Sequence, residues 1–197
     1  MGPGALEENP QPLRVRAFFG LPVPEPQREE LGRFVAECAR IAPGFRWATL
    51  ENLHLTVRFV GSVDRPVVEG VADAIASRPS ASFELALGDI GTFGRGRAVR
   101  VVWLGLRAGA DAAVALAALV EAECVRAGLA PEERAFQPHL TLARARAREG
   151  SNLGDLPADL PAPPELEPWR AGELILYSSR LSRSGAIYEV MRALVLA

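Results

Sequence analysis

The two histidines of this chain carry its clearest chemical signal. Each is followed two positions later by a threonine, in HLTV beginning at His54 and in HLTL beginning at His139. A single histidine in a strand is most often a structural residue. Here both histidines carry the same pattern, although the chain has only four threonines, and chance placement rarely gives that result. We therefore treat the two motifs as candidate catalytic groups.

The motif spacing predicts an acid and base pair. Residues i and i+2 of a strand share a face, so each motif presents an imidazole beside a hydroxyl. Hydrolysing a phosphodiester in line needs one group to accept a proton from water and another to protonate the leaving oxygen. Two histidines near the usual pKa of about 6.5 can share that work, one neutral and one protonated. Thr56 and Thr141 would donate to non-bridging phosphate oxygens.

Composition excludes several other mechanisms. All 22 basic residues are arginine, which removes P-loop lysines, Schiff bases and adenylylated lysine nucleophiles. The motifs lack HxxxH spacing and a neighbouring Asp or Cys cluster, so we expect no metal and no other cofactor. Cys38 and Cys124 stand alone in helix-like segments and are predicted to be buried thiols.

Charge and hydropathy restrict partners and location. A net charge of -2 and a pI near 5.8 argue against a protein that coats long nucleic acid, but they are compatible with a locally held RNA end. Neither a signal peptide nor an 18-residue apolar segment is visible, so we expect no membrane association and a cytoplasmic location. Residues 1–12 are polar and proline-rich and are predicted to be a flexible tail.

Apolar periodicity predicts an α+β fold, because strands and helices interleave without the regular βαβα order of a doubly wound sheet. A glycine-rich segment, Gly91–Arg97, is interpreted as a hairpin loop, and a proline-rich connector covers 149–168. The predicted helices are 25–41, 65–77 and 110–127, and the predicted strands are 13–19, 45–49, 53–60, 83–90, 98–106, 139–145, 172–181 and 186–196.

Several segments together resemble a known family. ENLHLTVRFVG and FQPHLTLAR are similar to the paired motifs of the two-histidine phosphoesterases, and RAFFGLP, RVVWLGL and LILYSSRL extend the likeness. The closest resemblance is to the RNA 2′,3′-cyclic phosphodiesterase family, also called 2′-5′ RNA ligases. It covers Leu13 to the C-terminus and implies one bilobal domain over 13–197. The implied fold has two pseudo-symmetric lobes of antiparallel sheet with outer helices, each lobe presenting one motif to a central cleft.

The resemblance also implies a reaction and its roles. A terminal 2′,3′-cyclic phosphate on RNA would be opened to a 2′-phosphate without metal, with His54 as proton donor and His139 as proton acceptor. Members also join tRNA halves reversibly through a 2′-5′ bond, and we expect a monomer. The sequence itself does not order the two roles, because the motifs are nearly equivalent.

Three further residues are candidates for substrate binding. Arg58 lies two positions after Thr56, so a regular strand would place it on the same face, ready to bind phosphate; the alternative is a solvated strand-end arginine. Arg144 is at an odd offset from His139 and would face away unless a bulge intervenes, whereas the resemblance favours substrate contact. Phe18 resembles an aromatic position near the nucleobase, and the alternative is a core phenylalanine.

Three alternative functions stay open from the sequence. The same chemistry could act on a small nucleotide such as a cyclic ADP-ribose phosphate. The chain could instead be a non-catalytic protein that binds RNA ends. Finally, 2′-5′ ligation rather than hydrolysis could be the physiological activity, because both directions share one transition state.

Overall fold

The computed structural model describes residues 13–95, 98–146, 156–157, 160–182 and 185–197, without the side chain of Arg95. The predicted tail, 1–12, and part of the predicted connector, 149–168, lie outside these residues. The helices are α1 (Glu25–Ile41), α2 (Arg65–Ala76) and α3 (Ala110–Arg126), with a short 3₁₀ helix, Leu50–Asn52. The strands are β1 (Arg14–Pro22), β2 (Phe45–Trp47), β3 (His54–Asp64), β4 (Phe83–Arg95), β5 (Ala98–Ala108), β6 (Leu140–Ala145), β7 (Trp169–Ala171), β8 (Glu173–Leu181) and β9 (Ala186–Val195).

The nine strands of the described residues form one antiparallel sheet. Its order is β7-β4-β5-β6-β3-β1-β8-β9, and β2 also pairs with β6. One half of the sheet, β7 to β6, meets the other half, β3 to β9, through the pairing of Leu55 with Leu140. The predicted α+β class is confirmed, and one sheet runs through both halves of the chain.

The two halves repeat the same local plan. In the first half, β1 leads into α1, and the chain returns as β3, which pairs antiparallel with β1. In the second half, β5 leads into α3, and the chain returns as β6, which pairs with β5. Each half thereby places one histidine motif on the strand nearest the centre of the sheet. This arrangement confirms the predicted pair of pseudo-symmetric lobes with outer helices.

The helices cover one face of the sheet. A single buried cluster joins apolar side chains of all three helices to Leu55, Val57, Leu140 and Leu142 of the motif strands. Cys38 and Cys124 are free and buried in this cluster, and burial raises the pKa of each thiol to about 11. The prediction of buried thiols is therefore confirmed. Among the described residues, no helix is both long and apolar enough to cross a membrane.

The predicted hairpin loop Gly91–Arg97 was wrong over its first five residues. β4 continues through Arg95, and Gly91 pairs with Trp103 of β5. A side chain at Gly91 would start 2.1 Å from the Trp103 ring, so the glycine makes room for an indole rather than for a turn. The short strand β7 was also missed, because three residues are too few to show a period.

Candidate active site

The pairing of β3 with β6 brings the two motifs together. Leu55 of β3 pairs antiparallel with Leu140 of β6, so the flanking residues face each other across the strands, His54 towards Thr141 and His139 towards Thr56. Leu55 and Leu140 are buried against the helices. Because side chains alternate between faces, both histidines and both threonines lie on the opposite face of the sheet, which we define as the site face.

Backbone carbonyls orient both imidazoles in the same way. Nδ1 of His54 lies 2.8 Å from the Asn52 carbonyl oxygen, and Nδ1 of His139 lies 2.7 Å from that of Gln137. A carbonyl only accepts, so Nδ1 carries the proton in each ring. Nε2 is therefore the ring atom that is left able to accept or donate a proton at the site face.

Asn52 and Gln137 are positioning residues that the sequence reading missed. Besides its carbonyl contact, Asn52 donates from its side-chain amide to the Ala186 carbonyl at 2.9 Å, which ties the His54 anchor to β9. The available signal was the amide residue that stands two positions before each histidine, in ENLH and in FQPH.

The Thr56 hydroxyl lies beside the reactive nitrogen of His54. Oγ1 of Thr56 is 2.9 Å from Nε2 of His54. With a neutral imidazole the hydroxyl donates this bond, and with an imidazolium the ring N–H donates it. The predicted pairing of imidazole and hydroxyl is thus present at the first motif.

Aromatic rings surround His54 more closely than His139. The His54 ring lies 4.8 Å from Phe18, 5.2 Å from Tyr188 and 5.9 Å from Tyr177, measured between ring centroids. Around His139 the corresponding distances are 5.1 Å to Phe93 and 5.9 Å to Trp103. Of these five rings only Phe18 is predicted from the sequence, because the others lie on strands distant in sequence and show no motif of their own.

Both histidines are biased towards the neutral form. Burial lowers the pKa of His54 to about 4, and the positive charges of Arg144 and His139 add to the effect. Burial, followed by the charge of Arg144, also lowers the pKa of His139. The expectation that both histidines titrate near 6.5 is therefore not met in the free site. An anion bound beside either ring would raise its pKa again.

A bulge in β6 turns Arg144 towards the site. Val102 pairs with Ala143 but Trp103 pairs with Thr141, so Leu142 is an extra residue on the bulged strand. The alternation shifts by one position, which returns Arg144 to the site face. Its charge lowers the pKa of both histidines, in keeping with that placement. The sequence allowed Arg144 to face the site only if a bulge intervened, and β6 contains that bulge.

A bulge in β3 removes Arg58 from the site, so the prediction of a shared face was wrong. Gly20 pairs with Thr56 but Phe19 pairs with Arg58, leaving Val57 as the extra residue. The Arg58 side chain is 10% exposed; it forms an ion pair with Glu121 of α3 and donates to the Ala130 carbonyl at 2.7 Å. These contacts give it a structural role on the helix-covered face.

Phe18 lies under the site. It is 2% exposed, and its ring stacks on Tyr177 at 4.9 Å and lies 5.8 Å from Phe59. A ring this deeply buried supports His54 from below and offers little surface to a base. Phe59 on this side is 52% exposed, and Tyr177 is half-buried.

Comparison with known proteins identifies the family. A family model described as LigT like Phosphoesterase matches the chain twice, over residues 21–103 and 104–188. The chain belongs to the LigT-like phosphoesterase family. The first match contains His54 and the second contains His139, and the boundary between the matches lies within β5. The suspected family and its phosphoesterase class of enzyme are thus confirmed.

Individual members of the LigT-like family are similar over most of the chain. An RNA 2′,3′-cyclic phosphodiesterase of Aeropyrum pernix is 33% identical over 72% of this chain and 80% of its own length. One of Geobacillus stearothermophilus is 30% identical over 91% of this chain and 57% of its own length, so this chain spans just over half of that relative. A crystal structure of Escherichia coli LigT with 3′-AMP matches with a TM-score of 0.78 and 26% identity, covering 94% of this chain and 99% of that one.

Proposed function

We propose that this protein hydrolyses the 2′,3′-cyclic phosphate at the end of an RNA strand to a 2′-phosphate. His54 donates a proton, His139 accepts one, and no metal takes part. The observation that carries the proposal is the Leu55–Leu140 pairing, which sets two imidazoles and two threonine hydroxyls on one face. The names of the similar Aeropyrum and Geobacillus proteins support the substrate class.

The proposed step is an in-line displacement at phosphorus. Nε2 of His139 takes a proton from water as the water oxygen forms a bond to phosphorus. The bond between phosphorus and the 3′-oxygen breaks, and its electron pair goes to that oxygen, which receives the proton from Nε2 of His54. Thr56, Thr141 and Arg144 stabilise the negative charge on the non-bridging oxygens.

The surroundings of the two rings support this order of roles. Among the described residues, no group hydrogen-bonds to Nε2 of His139, which leaves its lone pair open to water. His54 lies beside the half-buried rings of Tyr177 and Tyr188, on the side where a nucleoside would find aromatic partners. A departing 3′-oxygen belongs to that nucleoside, so the donor belongs on the same side.

Burial lowers the pKa of His54 to about 4, so the proposed donor gains its proton in the complex. A phosphodiester anion placed between the rings favours imidazolium and opposes the effect of Arg144 and burial. This is a reason for the substrate itself to prepare His54 as an acid. It also predicts that substrate binding takes up a proton.

Metal-free chemistry is supported by the composition of the site. Within the described ranges, no three His, Cys, Asp or Glu side chains are grouped to hold a metal ion. Two imidazoles, two hydroxyls and one guanidinium supply every proton transfer and charge contact that the proposed step needs.

Ligation through a 2′-5′ bond is the same displacement with a different nucleophile. The 5′-hydroxyl of a second RNA strand, such as the other half of a cleaved tRNA, replaces water and gives its proton to His139. The cyclic phosphate already supplies the activated bond, so no nucleotide cofactor is needed. We propose this as a weak side activity of a monomeric, cytoplasmic enzyme.

The experiment that tests the function measures hydrolysis of an RNA oligonucleotide with a 2′,3′-cyclic phosphate in the presence of EDTA, separating 2′- from 3′-phosphate products. Parallel reactions contain a cyclic mononucleotide, a cyclic ADP-ribose phosphate, or an added strand with a free 5′-hydroxyl. Turnover of the RNA to a 2′-phosphate supports the proposal. RNA binding without turnover, activity restricted to the ADP-ribose compound, or activity abolished by EDTA would each contradict it.

A further inference from the structure

Two arginines lie side by side on neighbouring strands next to the active site. Arg46 of β2 pairs directly with Arg144 of β6, and both side chains are exposed. The neighbours of Arg46 on β2 point the other way: Phe45 is buried in the core, and the Trp47 indole donates to the Ala42 carbonyl. Arg46 therefore projects from the site face, as Arg144 does.

Arg46 and Arg144 are like charges directly opposite each other across the two strands. Like charges directly opposite each other on paired strands are destabilising. Among the described residues, neither Arg46 nor Arg144 has a carboxylate within ion-pair distance, whereas other arginines, including Arg58 and Arg65, do. An anion held between the two guanidinium groups would offset the repulsion.

The position of the pair fits a second phosphate of a bound strand. Arg144 is three residues beyond Thr141 on β6, so at about 3.3 Å per residue the two backbone positions are at most about 10 Å apart. The charge of Arg144 already acts on both histidines. Arg46 lies on the neighbouring strand and extends the positive surface beyond Arg144 by one strand spacing, roughly 4.8 Å.

We propose that Arg46 binds the phosphate on the 5′ side of the terminal nucleotide and so makes the enzyme prefer RNA strands over cyclic mononucleotides. Arg144 lies between this phosphate and the cyclic phosphate. The inference rests on the proposed function. It assigns the choice of an oligonucleotide substrate to a residue outside both histidine motifs.

The test compares three substrates. These are a cyclic mononucleotide, a dinucleotide with a cyclic phosphate end, and the same dinucleotide with an uncharged methylphosphonate linkage. Wild type, Arg46→Gln and a matched control, Arg33→Gln on the exposed side of α1, are assayed at several salt concentrations. The quantity compared is the kcat/KM of each dinucleotide divided by that of the mononucleotide.

We expect Arg46→Gln to lower this ratio by about tenfold for the natural dinucleotide, as is ordinary for loss of one charged hydrogen bond. The ratio for the methylphosphonate dinucleotide should be the same in wild type and variant, and Arg33→Gln should behave as wild type. The salt dependence of kcat/KM on a longer strand should also weaken in Arg46→Gln, by a log–log slope of about 0.7.

Failure of the inference can be told from failure of the function. If wild type hydrolyses all three substrates but Arg46→Gln leaves the natural dinucleotide ratio unchanged, the role of Arg46 is wrong and the phosphodiesterase stands. An equal loss on both dinucleotides would also overturn it, because the effect would not depend on the phosphate charge. If wild type hydrolyses none of them, the proposed function falls and the inference falls with it.

Discussion

β3 and β6 carry the same motif but provide different surroundings. Each strand begins at or next to its histidine, and Nδ1 of that histidine donates to the carbonyl oxygen two residues earlier. Each strand also has a β-bulge immediately after the threonine. The residue five positions beyond the histidine returns to the site face in both strands. It is Phe59 on β3 and Arg144 on β6.

That difference separates two tasks. On the β3 side His54 is surrounded by aromatic rings, which suits a nucleoside. On the β6 side Arg144, together with Arg46 on β2, supplies positive charge, which suits phosphate. A duplicated motif gives two nearly equivalent imidazoles, and in the proposed mechanism the residues around them decide which one faces the leaving group and which one faces water.

The largest expected effect comes from removing either imidazole. His54→Ala and His139→Ala should each lower kcat on a cyclic phosphate by about 10² to 10⁴, the usual contribution of a general acid or base. Initial rates at saturating substrate measure this, with circular dichroism to check folding. If either folded variant kept the wild-type kcat, the proposal that both histidines take part in catalysis would be wrong.

The second effect concerns the residue five positions past each histidine. Arg144→Gln should lower kcat/KM on a cyclic mononucleotide by about 10- to 100-fold, because a charged hydrogen bond to phosphate is lost. Phe59→Leu should lower it by less than about threefold, since it removes only part of an exposed aromatic surface. Steady-state kinetics with Arg33→Gln as the charge control will measure both. Equal losses in the two variants would show that the halves are not specialised.

A third prediction concerns pH. Because the pKa of His54 is about 4 and that of His139 is also lowered, the kcat/KM profile of the free enzyme should be a bell with its optimum below pH 6.5, reporting the pair as a unit. Bound phosphate raises both pKa values, so the kcat profile should lie at higher pH. Arg144→Gln should move the kcat/KM optimum upward, because it removes a charge that opposes protonation. Superimposable profiles would contradict this electrostatic account.

The smallest effect on catalysis is expected at Arg58. Arg58→Gln should lower the free energy of unfolding by about 1 to 3 kcal/mol, because it leaves the carboxylate of Glu121 without its positively charged partner. The matched control, Arg14→Gln, breaks the exposed pair with Asp64 and should cost less than about 1 kcal/mol. Urea unfolding measures the difference. A large loss of kcat in folded Arg58→Gln would contradict this prediction and would indicate that Arg58 acts in the active site.

The sequence was sufficient for the three helices and most of the strands, and for the shared face of each motif, because periodicity and spacing are local; it was not sufficient for β7 or for the end of β4. It was insufficient for Arg58 and Arg144, whose faces depend on one extra residue in each strand. A bulge depends on pairing with β1 or β5, which no spacing along a single strand reveals. The sequence does not predict that Tyr177, Tyr188 and Trp103 lie beside the histidines, because the sheet brings them there from distant parts of the chain.

The central claim is that His54 is the acid and His139 the base, and a leaving-group substitution tests it most directly. A cyclic substrate with sulfur in place of the 3′-oxygen needs no proton donor, because a thiolate departs unaided. With this substrate, the loss of kcat in His54→Ala should shrink by at least about 100-fold relative to the oxygen substrate, while the loss in His139→Ala should stay the same. If sulfur instead rescued His139→Ala, or rescued neither variant, the assignment of acid and base would be contradicted.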